Sequence, residues 1–111
     1  MKTVSIARDF SPTPSGRFGR DGPFSGEAFR VRFLEPAVDA QEAVTVELDA
    51  IAGLSSSFLE EAFGGLYRRQ GADPTRIRQL VRPHAEGEAF KPYVALIERY
   101  MSEAAKRFSG D

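Results

Sequence analysis

A strand pattern followed within a few residues by a helix pattern is the feature that most constrains this fold. In AVTVELDA, residues 43–50, apolar side chains alternate with polar ones, which is typical of a half-buried strand. The segment that begins at Ser57 instead places its apolar residues on one helical face, at Phe58, Leu59, Ala62, Phe63 and Leu66. This succession predicts helices packed on a sheet.

Further segments extend the same order along the chain. TVSIA, residues 3–7, alternates as a short first strand, and TRIRQLV, residues 75–81, is predicted as the third. Ser25 is placed to cap a first helix, which Pro36 kinks or restarts. Apolar residues at helical spacing predict a C-terminal helix over residues 90–108. The order β-α-β-α-β-α predicts an α/β fold with a small mixed or partly parallel sheet and helices packed on it.

Length and composition narrow the class of protein. The 111 residues predict a single domain over residues 1–111. The net charge of -1 gives no global attraction to nucleic acid or to an anionic membrane. No segment has the apolar length to span a bilayer, and the N-terminus lacks the apolar run of a signal peptide. There is no cysteine, so disulfides are excluded, and we expect a cytoplasmic protein.

A long loop rich in glycine, proline and arginine, residues 8–26, separates the first strand from the first helix. It lacks the lysine and hydroxyl of a Walker loop and the spacing of a dinucleotide fingerprint. Its candidates for contact with an anion or a protein partner are Arg17, Arg20, Gly19 and Gly22. Otherwise the two arginines are solvated or pair with Asp9 or Asp21. One alternative function is therefore a phosphate or nucleotide site in this loop.

Three consecutive serines, Ser55, Ser56 and Ser57, precede the second helix. In one interpretation Ser57 caps the helix, Glu60 completes a capping box, and the other serines shape the turn. In the other, one hydroxyl accepts a phosphate, which the free amides of a helix start tolerate. That phosphate would add nearly two negative charges to the surface, which a partner could detect.

Two glycines, Gly64 and Gly65, lie inside the second predicted helix. Each costs about 1 kcal/mol relative to alanine, so the pair indicates close approach of another backbone. That backbone belongs either to this chain or to a partner docked on the glycine face, and such a face also allows a homodimer. Glu60 on the same helix is a further candidate for contact with a partner.

Catalytic chemistry has few candidates in this sequence. His84 is the only histidine, so metal sites built from histidine and cysteine clusters are excluded. The serines are not part of a nucleophile-elbow motif, and the adjacent Glu60 and Glu61 are expected to point to different helix faces. We therefore expect no enzyme activity, no metal and no cofactor.

Three segments, GRFGRDGPFSGEAFR, VTVELDAIAG and SSSFLEEAFGGLYR, together resemble the bacterial STAS-like domain family of unknown function, over roughly residues 3–82. The region is also similar to STAS domains of anti-sigma factor antagonists, whose regulatory serine lies at this helix start. An aspartate precedes that serine in the antagonists, whereas Leu54 precedes the serines here.

The resemblance implies a regulatory, partner-switching interaction module involved in signalling. It also implies a partner of the kinase class with a histidine-kinase-like ATPase fold, or a comparable regulator. Ser56 is the best match to the switch position, with Ser55 and Ser57 beside it.

Overall fold

A computed structural model of the chain describes residues 2–108, except for the side chain of Phe108. Three strands, β1 (Lys2–Ser5), β2 (Val44–Glu47) and β3 (Val81–His84), form one sheet in the order β1-β2-β3. Both strand pairs are parallel. The predicted α/β fold is confirmed, and all three strands of the sheet run the same way.

The strand register gives the sheet an apolar and a polar face. Val4 pairs with Val46, and Val44 pairs with Val81, so buried valines lie side by side on one face. Residues on the opposite face include the exposed Thr3, Arg82 and His84. The helices and the loop therefore build the core on the valine face of the sheet.

Each connection between strands contains a continuous helical run. The first helical run, residues 26–39, has three parts: α1 (Gly26–Phe29), a π-helical turn (Arg30–Leu34) and α2 (Glu35–Asp39). The second helical run, residues 56–68, also has three parts: α3 (Ser56–Leu59), a π-helical turn (Glu60–Gly64) and a 3-10 turn (Gly65–Arg68). The remaining helices are α4 (Pro74–Leu80) and α5 (Lys91–Phe108). Short helical turns lie at Ile6–Phe10, Gly19–Asp21 and Glu88–Phe90.

The two helical runs cross in direct contact above the sheet. A Cβ atom on Gly26 would lie 2.5 Å from the carbonyl oxygen of Phe58, so only glycine permits this approach. The rings of Phe29 and Phe58 lie 6.0 Å apart between centroids, and Phe10 from the long loop packs against both. The loop over residues 8–26 is thus held to the core by an aromatic side chain.

The prediction of a third strand over residues 75–81 is wrong, because most of that segment forms α4. Asp73 caps α4, accepting a hydrogen bond from the amide of Arg76 at 3.2 Å, and Pro74 occupies the first turn. Ile77 and Leu80 are buried with helical rather than strand spacing. The third strand starts only at Val81. The predicted C-terminal helix, by contrast, is present as α5.

Candidate functional site

The three serines lie at the start of the second helical run, and all three are exposed. Ser55 is the helix cap, because its Oγ accepts a hydrogen bond from the amide of Phe58 at 3.2 Å. The predicted cap at Ser57, with its capping box to Glu60, is wrong. The helix begins at Ser56, two residues before the fully buried Phe58, so Ser57 already lies inside α3.

The segment between β2 and the serines is anchored by Asp49. Its carboxylate accepts hydrogen bonds from the amides of Gly87 at 2.8 Å and Glu86 at 3.0 Å, in the loop that follows β3. These amides hold the pKa of Asp49 below its ordinary value, because they stabilise the ionised form. Ala50 follows with a φ of 68°, in the left-handed region that alanine rarely adopts. The hydrogen bonds to the loop that follows β3 thus hold in place the segment that leads to the three serines.

Arg17 is the loop residue that the structure brings to the second helical run. Its guanidinium binds the carboxylate of Glu60 and lies 3.4 Å from that of Glu61. The hydrogen bond to Glu60 is the main cause that raises the pKa of Arg17. Of the alternatives considered for Arg17, pairing of its guanidinium with Asp9 or Asp21 is not the one that the structure has. Asp21 instead accepts hydrogen bonds from the backbone amides of Arg17 and Phe18.

The other loop candidates make contacts within the loop and with α1. Arg20 is exposed, and its guanidinium lies 4.9 Å from the centroid of the Phe18 ring. The amide of Gly19 donates to the carboxylate of Glu27 at 2.7 Å, and the amide of Gly22 donates to the carbonyl of Gly19 at 3.1 Å. The amides that an anion would need are therefore already bound within the chain.

Gly64 and Gly65 are buried and make room for charged side chains. A Cβ atom on Gly65 would overlap Nη1 of Arg30, and one on Gly64 would lie 2.7 Å from Oε2 of Glu60. Arg30 lies directly on the helix backbone, and it donates to the carbonyl oxygen of Glu61 at 2.8 Å. The expected close approach therefore exists, but an arginine side chain makes it instead of a second backbone.

A charge network centred on Glu61 joins the loop and both helical runs. Glu61 is 6% exposed, and its carboxylate accepts hydrogen bonds from Arg30 at 2.6 Å and Arg68 at 3.0 Å, besides its contact with Arg17. Glu60 accepts from Arg68 at 2.6 Å. The adjacent glutamates thus share Arg17 and Arg68, although helical spacing predicted that they would point to different faces.

Burial and ion pairing act on Glu60 in opposite directions. Burial raises the pKa of its carboxyl, but the hydrogen bonds from Arg68 and Arg17 outweigh burial and hold the pKa below its ordinary value. Sequence reasoning missed the network because its partners lie far apart along the chain, with Arg17 and Arg30 on one side and the glutamates on the other. No local spacing signals such pairs.

The remaining candidate, His84, ends β3 and is exposed. Its Nε2 lies 2.6 Å from a carboxylate oxygen of Glu86. Within residues 2–108, no cluster of histidine, aspartate and glutamate side chains has the arrangement of a metal site. In the same part of the chain, no helix has the length and apolar character needed to cross a membrane.

Comparison with known proteins identifies a family for this chain. A family model described as a STAS-like domain of unknown function (DUF4325) matches residues 25–86, more than half of the chain. The match runs from the cap of the first helical run to the loop that follows β3. No curated protein and no solved structure matches the chain. By this match, the chain belongs to the family of STAS-like domains of unknown function.

Proposed function

We propose that this chain is a non-enzymatic regulatory module that binds another protein through one exposed surface. This switch surface consists of Ser55, Ser56 and Ser57 with the side of the loop that carries Arg17 and Arg20. A regulatory role is what a STAS-like domain suggests. The observation that carries the proposal is the binding of Arg17 to Glu60 and Glu61, because it fixes the loop beside the serine-led helix. A surface fixed before binding loses less entropy when a partner docks.

Ser56 and Ser57 are both better placed than Ser55 to act as a switch, and Ser56 is the position that the STAS resemblance favours. The hydroxyl of Ser55 already holds the helix start, whereas Ser56 is exposed and its hydroxyl has no hydrogen-bond partner among residues 2–108. A phosphate on Ser56 would add charge one helical turn before Glu60 and leave the cap intact. The partner class that the STAS resemblance implies is a kinase-like ATPase or a comparable regulator in the bacterial cytoplasm. Docking of that partner would weaken when the charge is added.

A photo-crosslinking amino acid at position 56 tests the surface in the native host. The matched control carries the same amino acid in place of Arg82, which is exposed on the polar face of the sheet. We expect one protein to crosslink from position 56 and not from position 82. Equal crosslinking from both positions, or none from position 56, would refute the switch surface.

The identified partner then allows a test of the switch itself. Ser56→Asp should lower the affinity for the partner. Ser56→Asn should keep that affinity, because asparagine has nearly the shape of aspartate but carries no charge. Both variants should melt at nearly the wild-type temperature, because Ser56 is exposed and is not the cap. Equal affinity of the Asp and Asn variants would exclude a charge switch and leave the interaction standing.

The phosphate or nucleotide alternative has less support in the loop geometry. Arg17 is neutralised by Glu60, and the loop amides donate to Asp21 and Glu27. If the alternative holds, a phosphate ligand should raise the melting temperature, and replacing both Arg17 and Arg20 with alanine should abolish that rise.

A further inference from the structure

A second surface of the molecule combines exposed phenylalanine with arginine. Phe24 and Val31 are the large apolar side chains that stand out in the described residues, at 41% and 49% exposure. The ring of Phe24 meets that of Phe10 edge-on, with 5.4 Å between centroids, and Phe10 meets Phe33 in the same way at 6.0 Å. Because Phe10 is nearly buried, Phe24 and Phe33 extend the core outward to the solvent.

Arg32 lies on top of this aromatic cluster. Its guanidinium carbon is 5.1 Å from the centroid of Phe33 and 5.6 Å from that of Phe10. Arg32 is exposed, and it has no carboxylate partner in the part of the chain that the structure describes. A guanidinium that stacks on a ring keeps its N–H edges free, and those edges match the geometry of a carboxylate.

Three carboxylates of the loop and the first helical run already accept hydrogen bonds within the molecule. Asp21 accepts from the amides of the loop, and Glu27 accepts from the amide of Gly19. Glu35, one turn after Arg32, binds Arg30 at 2.9 Å and lies near Arg69. Arg32 therefore places a positive charge without an ion-pair partner among the described residues on the aromatic cluster, although the whole chain has a net charge of -1.

The backbone at Phe24 is also held in place before any partner arrives. The backbone carbonyl oxygen of Phe24 accepts a hydrogen bond from the amide of Ser15 at 3.0 Å. The next residue, Ser25, is fully buried and caps α1. Aromatic side chains and arginines that are held in place before binding are the residues that dominate binding energy at protein interfaces.

We propose that the aromatic–arginine face, formed by Phe24, Arg32 and Phe33, binds an acidic protein segment with a large apolar anchor. The anchor packs against Phe24 and Phe33, and a carboxylate beside it binds the free edge of Arg32. Charge complementarity selects an acidic segment, since the unpaired charge on the face is positive. This surface shares no residue with the switch surface, and the proposal stands independently of the proposed function.

Selection of displayed random peptides against the full chain tests the proposal. We expect enrichment of sequences in which Asp or Glu flanks Phe, Trp or Leu. A selected peptide, measured by fluorescence anisotropy, should bind Arg32→Gln and Phe24→Ser about tenfold or more weakly than the wild type. Arg99→Gln is the matched control, because Arg99 also lies over a ring, that of Tyr100, but on α5. Its affinity should be unchanged.

Three outcomes would overturn the proposal. The first is enrichment of peptides without acidic residues, or no enrichment at all. The second is equal affinity of the wild type and Arg32→Gln. If circular dichroism shows that Phe24→Ser has not folded, the affinity of Arg32→Gln for the peptide decides the test by itself. The third is self-association of the chain that Phe24→Ser abolishes in sedimentation experiments, which would assign the face to a second copy instead.

Discussion

The two helical runs begin with the same local structure and yet have different surroundings. Ser25 caps the first run by accepting from the amide of Ala28 at 3.1 Å, and Ser55 caps the second by accepting from the amide of Phe58. Each run passes from an α-helical to a π-helical turn after four residues. Ser25 is fully buried, however, whereas Ser55 is exposed. The serine cap therefore lies in the packed interior in the first run and at the exposed surface in the second run.

The residue after each cap explains this difference. In the first run it is Gly26, which lies against the backbone of the second run near Phe58. In the second run it is Ser56, which faces solvent. The start of the first run is thus an internal contact that tolerates no side chain, and the start of the second run is free to meet a partner. Substitutions at matched positions in the two runs test this difference.

Glu61→Gln should have the largest effect, because Glu61 ties the second run to the first. Gln keeps the shape but leaves the nearly buried Arg30 without a charged partner on the second run. Removing one partner of a buried ion pair costs about 3 kcal/mol of unfolding free energy. Urea denaturation followed by circular dichroism measures the loss.

Glu60→Gln is the control for that substitution. Its side chain is 28% exposed, against 8% for Glu61, so its ion pairs are screened by solvent. The expected cost is about 1 kcal/mol. Equal losses at the two positions would show that the network does not depend on burial.

Gly26→Ala should destabilise the protein by about 2 kcal/mol, because the added methyl group overlaps the backbone of the second run. Ser56→Ala occupies the same position after the cap in the second run and should change stability by less than about 0.5 kcal/mol. Thermal and urea unfolding of both variants give the comparison. If Gly26→Ala is as stable as Ser56→Ala, the first run does not need its close contact.

The two caps themselves should differ by a smaller amount. Ser25→Ala leaves an unpaired amide in a buried environment and should cost about 2 kcal/mol. Ser55→Ala should cost about 1 kcal/mol, because water can replace the lost hydroxyl at an exposed helix start. Equal unfolding free energies for the two variants would contradict the assignment of one cap to packing and the other to the surface.

The local features of the fold were predictable from sequence. Alternation identified β2, the cap at Ser25 was correct, and apolar spacing identified α5. The segment predicted as a strand over residues 75–81 is mostly a helix, because the cap at Asp73 and Pro74 in the first turn outweigh a weak alternation. Local patterns therefore sufficed wherever one period was clear.

The candidate site was predictable only in part. The serine turn was found from its residues, but the choice among three serines for the cap depends on where Phe58 enters the core. The contacts of Arg30 with Gly65 and Glu61 join the two helical runs and produce no periodic pattern in the sequence. Such long-range pairs are set by tertiary packing, which a single sequence does not display.

Acidification should produce the smallest of these effects, and only through the carboxylates. Burial raises the pKa of Glu60, but Arg68 and Arg17 outweigh it and hold the folded pKa below the ordinary 4.5. A carboxyl whose pKa is lowered by folding stabilises the protein above its ordinary pKa, and that contribution is lost as pH falls from 4.5 through the folded value. Asp49 and Asp21 are shifted in the same direction.

Urea midpoints measured between about pH 6 and about pH 3 should therefore fall for the wild type and fall less steeply for Glu60→Gln. A residual slope from Asp49 and Asp21 should remain in the variant. Gly26→Ala should keep the full wild-type slope, since it alters packing and no titrating group. Identical slopes for the wild type and Glu60→Gln would mean that the charge of Glu60 contributes nothing to the attachment of the loop. The expected split would instead show that close packing fixes the start of the first run, while charge fixes the loop on the second.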